Sequence, residues 1–220
     1  MLSWIKNTFA TQKAAYQKSR LLRPEFAAIF DQLPDEWVSL DLEMTGLNPK
    51  SDHILSVGAV RIRKDHNKQG NAFVIATDEP LNIICKPPIM PTTENIIVHG
   101  LRPMDLQGGM SYDAMLEQLL PFIAGRTLVG FCVDMDVKFL NTLVKPFLGF
   151  NLPNDVLDVS RLDQHLRLNK VIPDVLPELR HLNTLLDEYQ IPRLPAHDAY
   201  HDALMCAMLF CHLQAKAANH

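Results

Sequence analysis

The sequence predicts an α/β domain, in which a mixed β-sheet is flanked by α-helices and preceded by a helical extension. Apolar and polar residues alternate with period two in the first part of the chain, which is typical of strands. Further along, short apolar runs alternate with stretches of helical periodicity. Strands that come first and then alternate with helices favour a sheet with both parallel and antiparallel pairs.

Residues 1–35 are predicted to form a basic helical N-terminal extension, because apolar residues recur there at helical spacing until Leu33, Pro34 and Asp35 end the segment. Up to position 30 its charged residues are Lys6, Lys13, Lys18, Arg20, Arg23 and Glu25. The net charge of the whole chain is −4, so the predicted main domain, residues 36–220, is acidic. Three roles fit the extension: packing on the domain, contact with nucleic acid, and self-association.

The individual elements follow from periodicity and stop signals. The first strand carries Val38, Leu40 and Leu42 on one face and Ser39, Asp41 and Glu43 on the other. Further strands are predicted at about 53–63, within 72–85 and at 127–133, with a hairpin tip at 64–71. Helices are predicted at 112–123, from about Asp136 to Phe147, from Pro177 to about Tyr189, and at about 199–214. Gly125 and Gly149 supply two of the helix stop signals.

Composition excludes a membrane span and disfavours a broad duplex-binding surface. The longest apolar run, from Ala203 to Cys211, is far below the roughly 18 residues needed to cross a bilayer. The four cysteines form no Cys-x-x-Cys pair and no secretory signal pattern opens the chain, so we expect a reduced, cytoplasmic protein. An acidic domain lacks the many Lys and Arg contacts that long duplexes require, but it allows a short nucleic acid held through metal ions.

Three carboxylates predict a metal site. Asp41 and Glu43 are two residues apart on the first strand, so both side chains leave the same face of the sheet. Asp202 lies on the apolar stripe of the last helix, and no Lys or Arg occurs between residues 194 and 215 to neutralise it. Buried carboxylates need an opposite charge or a metal, which favours a divalent cation here; the alternative for the first two is an exposed sheet face.

Asp136 and His197 are two further candidates. Asp136 lies near the start of a predicted helix, four residues before Leu140, so its side chain either points inward or caps the helix. His197 lies at the entrance of the last helix, where an imidazole suits a general base; the alternative is an exposed histidine that follows Pro195.

A zinc site is a competing interpretation of the same region. His197 and His201 have the i, i+4 spacing of a zinc-hydrolase helix, but Asp198 stands where that helix carries Glu, and a third ligand is needed. Cys206 and Cys211 lack zinc-ligand spacing and are predicted to lie in the core.

Three motifs, in order, resemble those of the DEDDh-type 3′–5′ exonucleases, a family with the ribonuclease-H-like fold. The string DLEMTGL at 41–47 is similar to the first motif, the segment around Asp136 to the second, and HDAYHDA at 197–203 to the third. The string IIVHGL at 96–101 resembles a segment between the first two motifs. The resemblance covers about residues 36–215. It leaves two branches open, the DNA polymerase III epsilon-like proofreading exonucleases and the oligoribonucleases.

The sequence departs from the family pattern at two places. Around the second motif the family often shows His-Asn before the aspartate segment, whereas this chain has FCVDMD at 131–136, which makes Asp134 an alternative to Asp136. Met44 stands where many relatives have Thr.

The resemblance implies that Asp41, Glu43, Asp136 and Asp202 bind two Mg²⁺ or Mn²⁺ ions and that His197 deprotonates the attacking water. It further implies that Thr45, Gly46, Leu47 and His99 contact the terminal nucleotide. The implied function is hydrolysis at the 3′ ends of single-stranded DNA or RNA with release of nucleoside monophosphates. The alternative is a nucleic-acid or protein binding module on the same fold, with catalysis weakened by the altered second motif. The expected partner is a nucleic acid with a free 3′ end; neither a polymerase partner nor an oligomeric state follows from the sequence.

Overall fold

One mixed sheet organises the chain. The computed structural model describes residues 14–68, 72–91, 100–168, 178–195 and 197–218. Within them the strands are β1 (Glu36–Met44), β2 (Ile54–Lys64), β3 (Phe73–Ile84), β4 (Thr127–Gly130) and β5 (Val156–Asp158). Their order in the sheet is β3-β2-β1-β4-β5. The β1–β2 and β2–β3 pairs are antiparallel, whereas β1–β4 and β4–β5 are parallel, so the predicted α/β class with a mixed sheet is confirmed.

Helices flank both faces of this sheet. In the described residues they are α1 (Pro103–Gln107), α2 (Tyr112–Ile123), α3 (Asp134–Leu148), α4 (Val159–Leu168), α5 (Leu182–Glu188) and α6 (Ala199–Ala218). A helical turn at 14–19 and a 3₁₀ helix at Pro24–Phe30 precede β1. No described helix combines the length and the apolar character that a membrane span requires.

Two hydrophobic clusters lie on opposite faces of the sheet. One contains Val38, Leu40 and Leu42 of β1 together with the apolar faces of α2 and α3. The other contains Val60 and Ile62 of β2 with α5 and α6. Side chains alternate along a strand, so Ser39, Asp41 and Glu43 leave β1 on the face that α6 covers. The polar face of β1 is therefore closed over by the last helix.

The described part of the N-terminal extension packs on the face opposite α6. Phe26 and Ile29 are buried in the cluster of α2 and α3. The Leu22 N–H donates to the Leu148 carbonyl at 3.0 Å, and the Leu33 N–H donates to the Gly125 carbonyl at 2.8 Å. The described part of the extension, from residue 14 on, is helical in two pieces, because Pro24 begins a separate 3₁₀ helix. Residues 1–13 lie outside the described residues, and the division of the chain at residue 35 stays a prediction.

Two predicted elements need correction, and three were missed. The strand predicted at 127–133 ends at Gly130, because Cys132 adopts a left-handed φ of 57° and α3 begins at Asp134. The helix predicted from Pro177 begins at Leu182, since His181 before it is extended; Pro177 itself lies outside the described residues. The missed elements are α1, β5 and α4, which are short or carry few apolar residues.

Candidate active site

Three carboxylates converge where β1 meets the start of α6. Asp41, Glu43 and Asp202 each offer one carboxylate oxygen, and these oxygens lie within 4.8 Å of one another. The first two project from the polar face of β1, and the third comes from the first turn of α6. In the part of the chain that the structure describes, they are the one group of His, Cys, Asp or Glu side chains close enough together to hold a metal ion.

Asp136 lies next to this group, whereas Asp134 points away from it. The Asp136 side chain is buried in the first turn of α3, and the Glu43 charge acts on it. Asp134 is half exposed, and its Oδ2 accepts a hydrogen bond from the Arg161 guanidinium at 2.9 Å. Asp136 is not one of the three residues whose oxygens lie within 4.8 Å. Of the two aspartates considered for the second motif, the structure brings Asp136 to the cluster.

Burial and mutual repulsion make these carboxylates hard to ionise. Burial raises the pKa of Asp41 well above its ordinary range, and the charges of Asp136 and Asp202 raise it further. Burial is also the main cause that raises the pKa of Glu43 to about 7, followed by the charges of Asp202 and Asp198. Burial likewise raises the pKa of Asp136 and of Asp202.

This donor set fits a hard divalent cation. Like charges held together in a partly desolvated site are unfavourable unless an opposite charge compensates them. The cluster supplies oxygen ligands only, which suit Mg²⁺ or Mn²⁺ better than soft transition metals. A bound cation would stabilise the ionised form of each carboxylate.

His197 is tied directly to one of the carboxylates. Its backbone N–H donates to Asp202 Oδ2 at 3.2 Å, and its φ of 63° lies in the left-handed region. This φ is unusual for histidine and places the residue in the turn before α6 rather than in the helix. The hydrogen bond fixes the entrance of α6 relative to the carboxylate group, with the His197 side chain exposed beside it.

Residues that hold α6 in place were not found by sequence reasoning. The Ser39 hydroxyl, fully buried, donates to the Ala203 carbonyl at 2.7 Å. Gly58 pairs with Asp41 across the β1–β2 ladder, and a side chain there would overlap the α6 backbone at Ala199. A glycine inside an apolar strand is a signal for such a close approach, and it is present in the sequence.

Asp198, which the sequence suggests only as part of a zinc motif, lies directly before α6. Its Oδ1 accepts the His201 N–H at 3.0 Å and its carbonyl accepts the Asp202 N–H at 2.9 Å, so it caps α6. His201 Nδ1 lies 3.7 Å from the same carboxylate oxygen. Neither His197 nor His201 joins a group with metal-binding geometry among the described residues. Cys206 and Cys211 lie in the cluster under α6, as predicted for core residues.

The predicted nucleotide contacts lie in the loop that follows β1. Thr45, Gly46 and Leu47 begin this loop, directly after the first two carboxylates. Leu47 is 73% exposed, so its apolar side chain is accessible at the surface of this loop. His99, the fourth predicted contact, lies outside the described residues.

A model of the exonuclease family RNase_T matches residues 38–210, most of the chain. The chain belongs to this exonuclease family. Asp41 and Glu43, the start of α3 and the first turn of α6 lie inside the matched range. The predicted family, and with it the predicted class of hydrolase, is confirmed.

Relatives of this exonuclease domain include DNA polymerase III proteins. The PolC-type polymerase of Caldanaerobacter subterraneus subsp. tengcongensis is 27% identical over 186 residues, which are 84% of this chain and 12% of that protein. The DNA polymerase III subunit epsilon of Aquifex aeolicus is 24% identical over 188 residues, 85% of each chain. The chain thus spans about a tenth of the length of the PolC-type relatives it matches.

Solved structures confirm the predicted ribonuclease-H-like fold. Escherichia coli Exonuclease I in complex with a dT13 oligonucleotide superposes with a TM-score of 0.65 at 17% identity, covering 84% of this chain and 42% of that one. The zinc-bound form of the complex of that enzyme with single-stranded DNA gives the same TM-score, 0.65, at 17% identity. At this level of identity the likeness shows the fold of the exonuclease domain.

Proposed function

We propose that this exonuclease-family chain hydrolyses phosphodiester bonds at the 3′ ends of single-stranded DNA or RNA and releases nucleoside monophosphates. The observation that carries the proposal is the convergence of Asp41, Glu43 and Asp202, with oxygens within 4.8 Å of one another, beside the buried Asp136. These side chains come from three separate elements, β1, α3 and α6. Holding these like charges together is electrostatically unfavourable. Bound cations would offset this repulsion, so the cluster favours a cation-dependent reaction.

Four carboxylates are proposed to hold two Mg²⁺ or Mn²⁺ ions. Asp41 is proposed as a shared ligand, because the charges of both Asp136 and Asp202 act on its carboxylate. When bound, a pair of divalent cations lowers the pKa of a water molecule and stabilises the leaving oxygen of the phosphodiester. The role of the protein is to keep the carboxylates at fixed positions and to neutralise the cations.

His197 is proposed as the general base. Its imidazole is exposed at the entrance of α6, and its backbone N–H is held by Asp202. As general base, a ring nitrogen of His197 would take the proton of the attacking water, while bound cations keep the carboxylates ionised. Its attachment to Asp202 couples the position of the base to that of a metal ligand.

A substrate with a single free strand suits both the charge and the fold. The carboxylates repel a phosphodiester unless cations lie between them. Contact through cations at one point favours a short bound stretch of nucleic acid, whereas a long one would need a basic groove. Exonuclease I, which shares the fold, has been crystallised with dT13. The loop that begins at Thr45 is proposed to receive the terminal nucleotide, and Leu47 offers an exposed apolar surface to a base.

We also propose a division into domains and a cellular location. Residues 36–220 are proposed to form the catalytic domain and residues 1–35 an extension that packs on it through Phe26 and Ile29. A cytoplasmic location is proposed on the basis of the four cysteines, which are all free.

The test is nucleotide release from 5′-labelled and 3′-labelled single-stranded DNA and RNA, with Mg²⁺, with Mn²⁺ and with chelator. We expect metal-dependent shortening from the 3′ end, lost in Asp41→Ala while its circular dichroism spectrum is retained. Cleavage by Asp41→Ala at the wild-type rate would contradict the mechanism. A folded wild-type chain that binds oligonucleotide but takes up neither metal and releases nothing would favour the binding module instead.

A further inference from the structure

We propose that Asp52 is a positioning residue that shapes the nucleotide-contacting loop between β1 and β2. This inference rests on the proposed function, because it concerns how the substrate is held. Asp52 lies at the far end of the loop, two residues before β2, and sequence reasoning did not single it out. It is not one of the three residues that form the metal-binding group. Its carboxylate instead turns back toward Thr45 and Gly46, the last part of the first motif.

Asp52 reaches both halves of the loop with one carboxylate. Its Oδ2 accepts the Asn48 N–H at 2.8 Å, and its Oδ1 lies 3.5 Å from the Thr45 hydroxyl, which donates to it. The Asp52 N–H in turn donates to the Asn48 carbonyl at 2.8 Å. Residues 48–52 therefore form a closed turn, and the carboxylate connects this turn to Thr45.

Gly46 leaves the space that the Asp52 carboxylate occupies. A Cβ atom at position 46 would lie 2.6 Å from Asp52 Oδ2. The carboxylate thus packs against the backbone of Gly46, the residue between Thr45 and Leu47. The side of the loop that faces Asp52 is filled, and Leu47 is left exposed on the loop surface.

Thr45 is held from two directions. Its backbone N–H donates to the His53 carbonyl at 2.9 Å, and the His53 N–H donates to the Thr45 Oγ1 at 2.9 Å. This pair of bonds extends the β1–β2 ladder past the irregularity at Glu43 and Met44. Asp52, next to His53, completes the arrangement from the loop side. A loop ordered before binding loses less conformational entropy when it receives a ligand.

The consequence is a separation of substrate binding from metal binding. Removing the Asp52 carboxylate leaves Asp41, Glu43 and Asp202 unchanged but releases the loop that presents Thr45, Gly46 and Leu47. We expect variants that lack this carboxylate to bind the 3′ terminal nucleotide with lower affinity, while their affinity for cations is unchanged.

The experiment compares Asp52→Ala, Asp52→Asn and Asp65→Ala in the full chain. Asp65 is the matched control, because its Oδ1 accepts the Asn67 N–H at 3.0 Å in the turn at the other end of β2. Steady-state kinetics on a 5′-labelled single-stranded oligonucleotide give KM and kcat, and isothermal titration with Mn²⁺ gives metal affinity. Circular dichroism and melting temperature show whether each variant is folded.

We expect Asp52→Ala to raise KM by about tenfold, with kcat changed much less and Mn²⁺ affinity unchanged. Asp52→Asn keeps an acceptor for the Asn48 N–H, so it should stay within about threefold of the wild-type KM. Asp65→Ala should match wild type. A wild-type KM in Asp52→Ala, or a loss of Mn²⁺ affinity equal to the loss of substrate affinity, would overturn the proposal.

Failure of the proposed function gives a different pattern. If the wild-type chain releases no nucleotide, fluorescence anisotropy with the same oligonucleotide replaces the kinetics. Binding by wild type that weakens about tenfold in Asp52→Ala supports the role of Asp52 even without catalysis. Equal binding by both proteins, or no binding by either, overturns it.

Discussion

The backbone of β2 touches the backbone of α6 where Gly58 meets Ala199. Gly58 is the cross-strand partner of Asp41, and Ala199 is the first residue of the helix that carries Asp202. The missing side chain at position 58 therefore sets how closely Asp202 approaches the β1 carboxylates. The distance between two of the proposed metal ligands depends on an unreactive residue.

Gly58→Ala is expected to separate α6 from the sheet. The added methyl group would overlap the backbone at Ala199 and Tyr200, so the helix has to move. We expect a loss of about 1 to 3 kcal/mol in the free energy of unfolding, as in other overpacked cores. A shift of about 1 Å at Asp202 should lower kcat by about a hundredfold. Gly108→Ala, at a position with open space, is the control and should leave both quantities unchanged. Normal kcat in folded Gly58→Ala would contradict this relationship.

Asp136 and Asp134 are expected to differ sharply although they are two residues apart. Asp136→Ala removes the buried carboxylate beside the metal group and should lower kcat by at least about a hundredfold. Asp134→Ala removes an exposed partner of Arg161 and should change stability by less than about 0.5 kcal/mol. Cleavage rates at saturating substrate and Mn²⁺ give kcat for both variants, and denaturant unfolding gives their stability. Equal losses in the two variants would show that the second motif is placed wrongly.

Stability of the metal-free protein is expected to fall as the pH rises from about 4.5 to about 7. Burial and nearby carboxylates raise the pKa of Glu43 to about 7 in the folded chain, from an ordinary 4.5. Between these values the folded state binds more protons than the unfolded state, so the free energy of unfolding decreases with rising pH. In a domain of this size each kcal/mol corresponds to about 2 to 4 °C in melting temperature.

Thermal melts in chelator across this pH range provide the measurement. Glu43→Gln should flatten the decline, because the amide does not titrate. Added Mg²⁺ should raise the melting temperature most at the upper end of the range, where the carboxylates are ionised. A decline of the same size in wild type and Glu43→Gln would assign the effect to other groups.

The N-terminal extension is expected to contribute stability rather than catalysis. Phe26 is 8% exposed, and its ring packs 5.6 Å from that of Phe147 on α3. Phe26→Ala should lower the free energy of unfolding by about 3 to 5 kcal/mol. Leu22→Ala, at a side chain 64% exposed, is the control and should cost less than about 0.5 kcal/mol. Denaturant unfolding gives the stability, and kcat well below the melting temperature should match wild type in both.

An effect of Phe26→Ala on substrate affinity at unchanged stability would contradict simple packing. It would point instead to contact between the extension and nucleic acid.

The parts of the fold that were predictable are those with long, regular patterns. The alternation in β1 and the helical spacing of α2 were sufficient to locate both elements. By contrast, α4 buries a charge beside its apolar residues: Asp163 is fully buried and accepts hydrogen bonds from Arg167 and Arg180. Burial alone would raise the pKa of Asp163, but these bonds and one from Tyr189 hold it below its ordinary value. Such compensation depends on tertiary contacts that periodicity does not encode.

Only the reactive groups of the candidate site could be predicted from the sequence. Two carboxylates on one face of β1 and a third on an apolar helix stripe already indicate a cation site. The supporting residues act in three different ways. Ser39 makes a single hydrogen bond, Gly58 lacks a side chain, and Asp52 makes a contact within a loop. The sequence does not identify their partners, since Ser39 meets Ala203 and Gly58 meets Ala199 across the whole domain.

The hydrogen bond from Ser39 to Ala203 joins residues 164 positions apart in the chain. During synthesis β1 therefore leaves the ribosome long before α6 has been made. A nascent chain that holds Asp41 and Glu43 still lacks Asp202, so the proposed cation site is incomplete. The proposed cation site, and with it the proposed nuclease activity, is complete only once α6 has docked on the sheet.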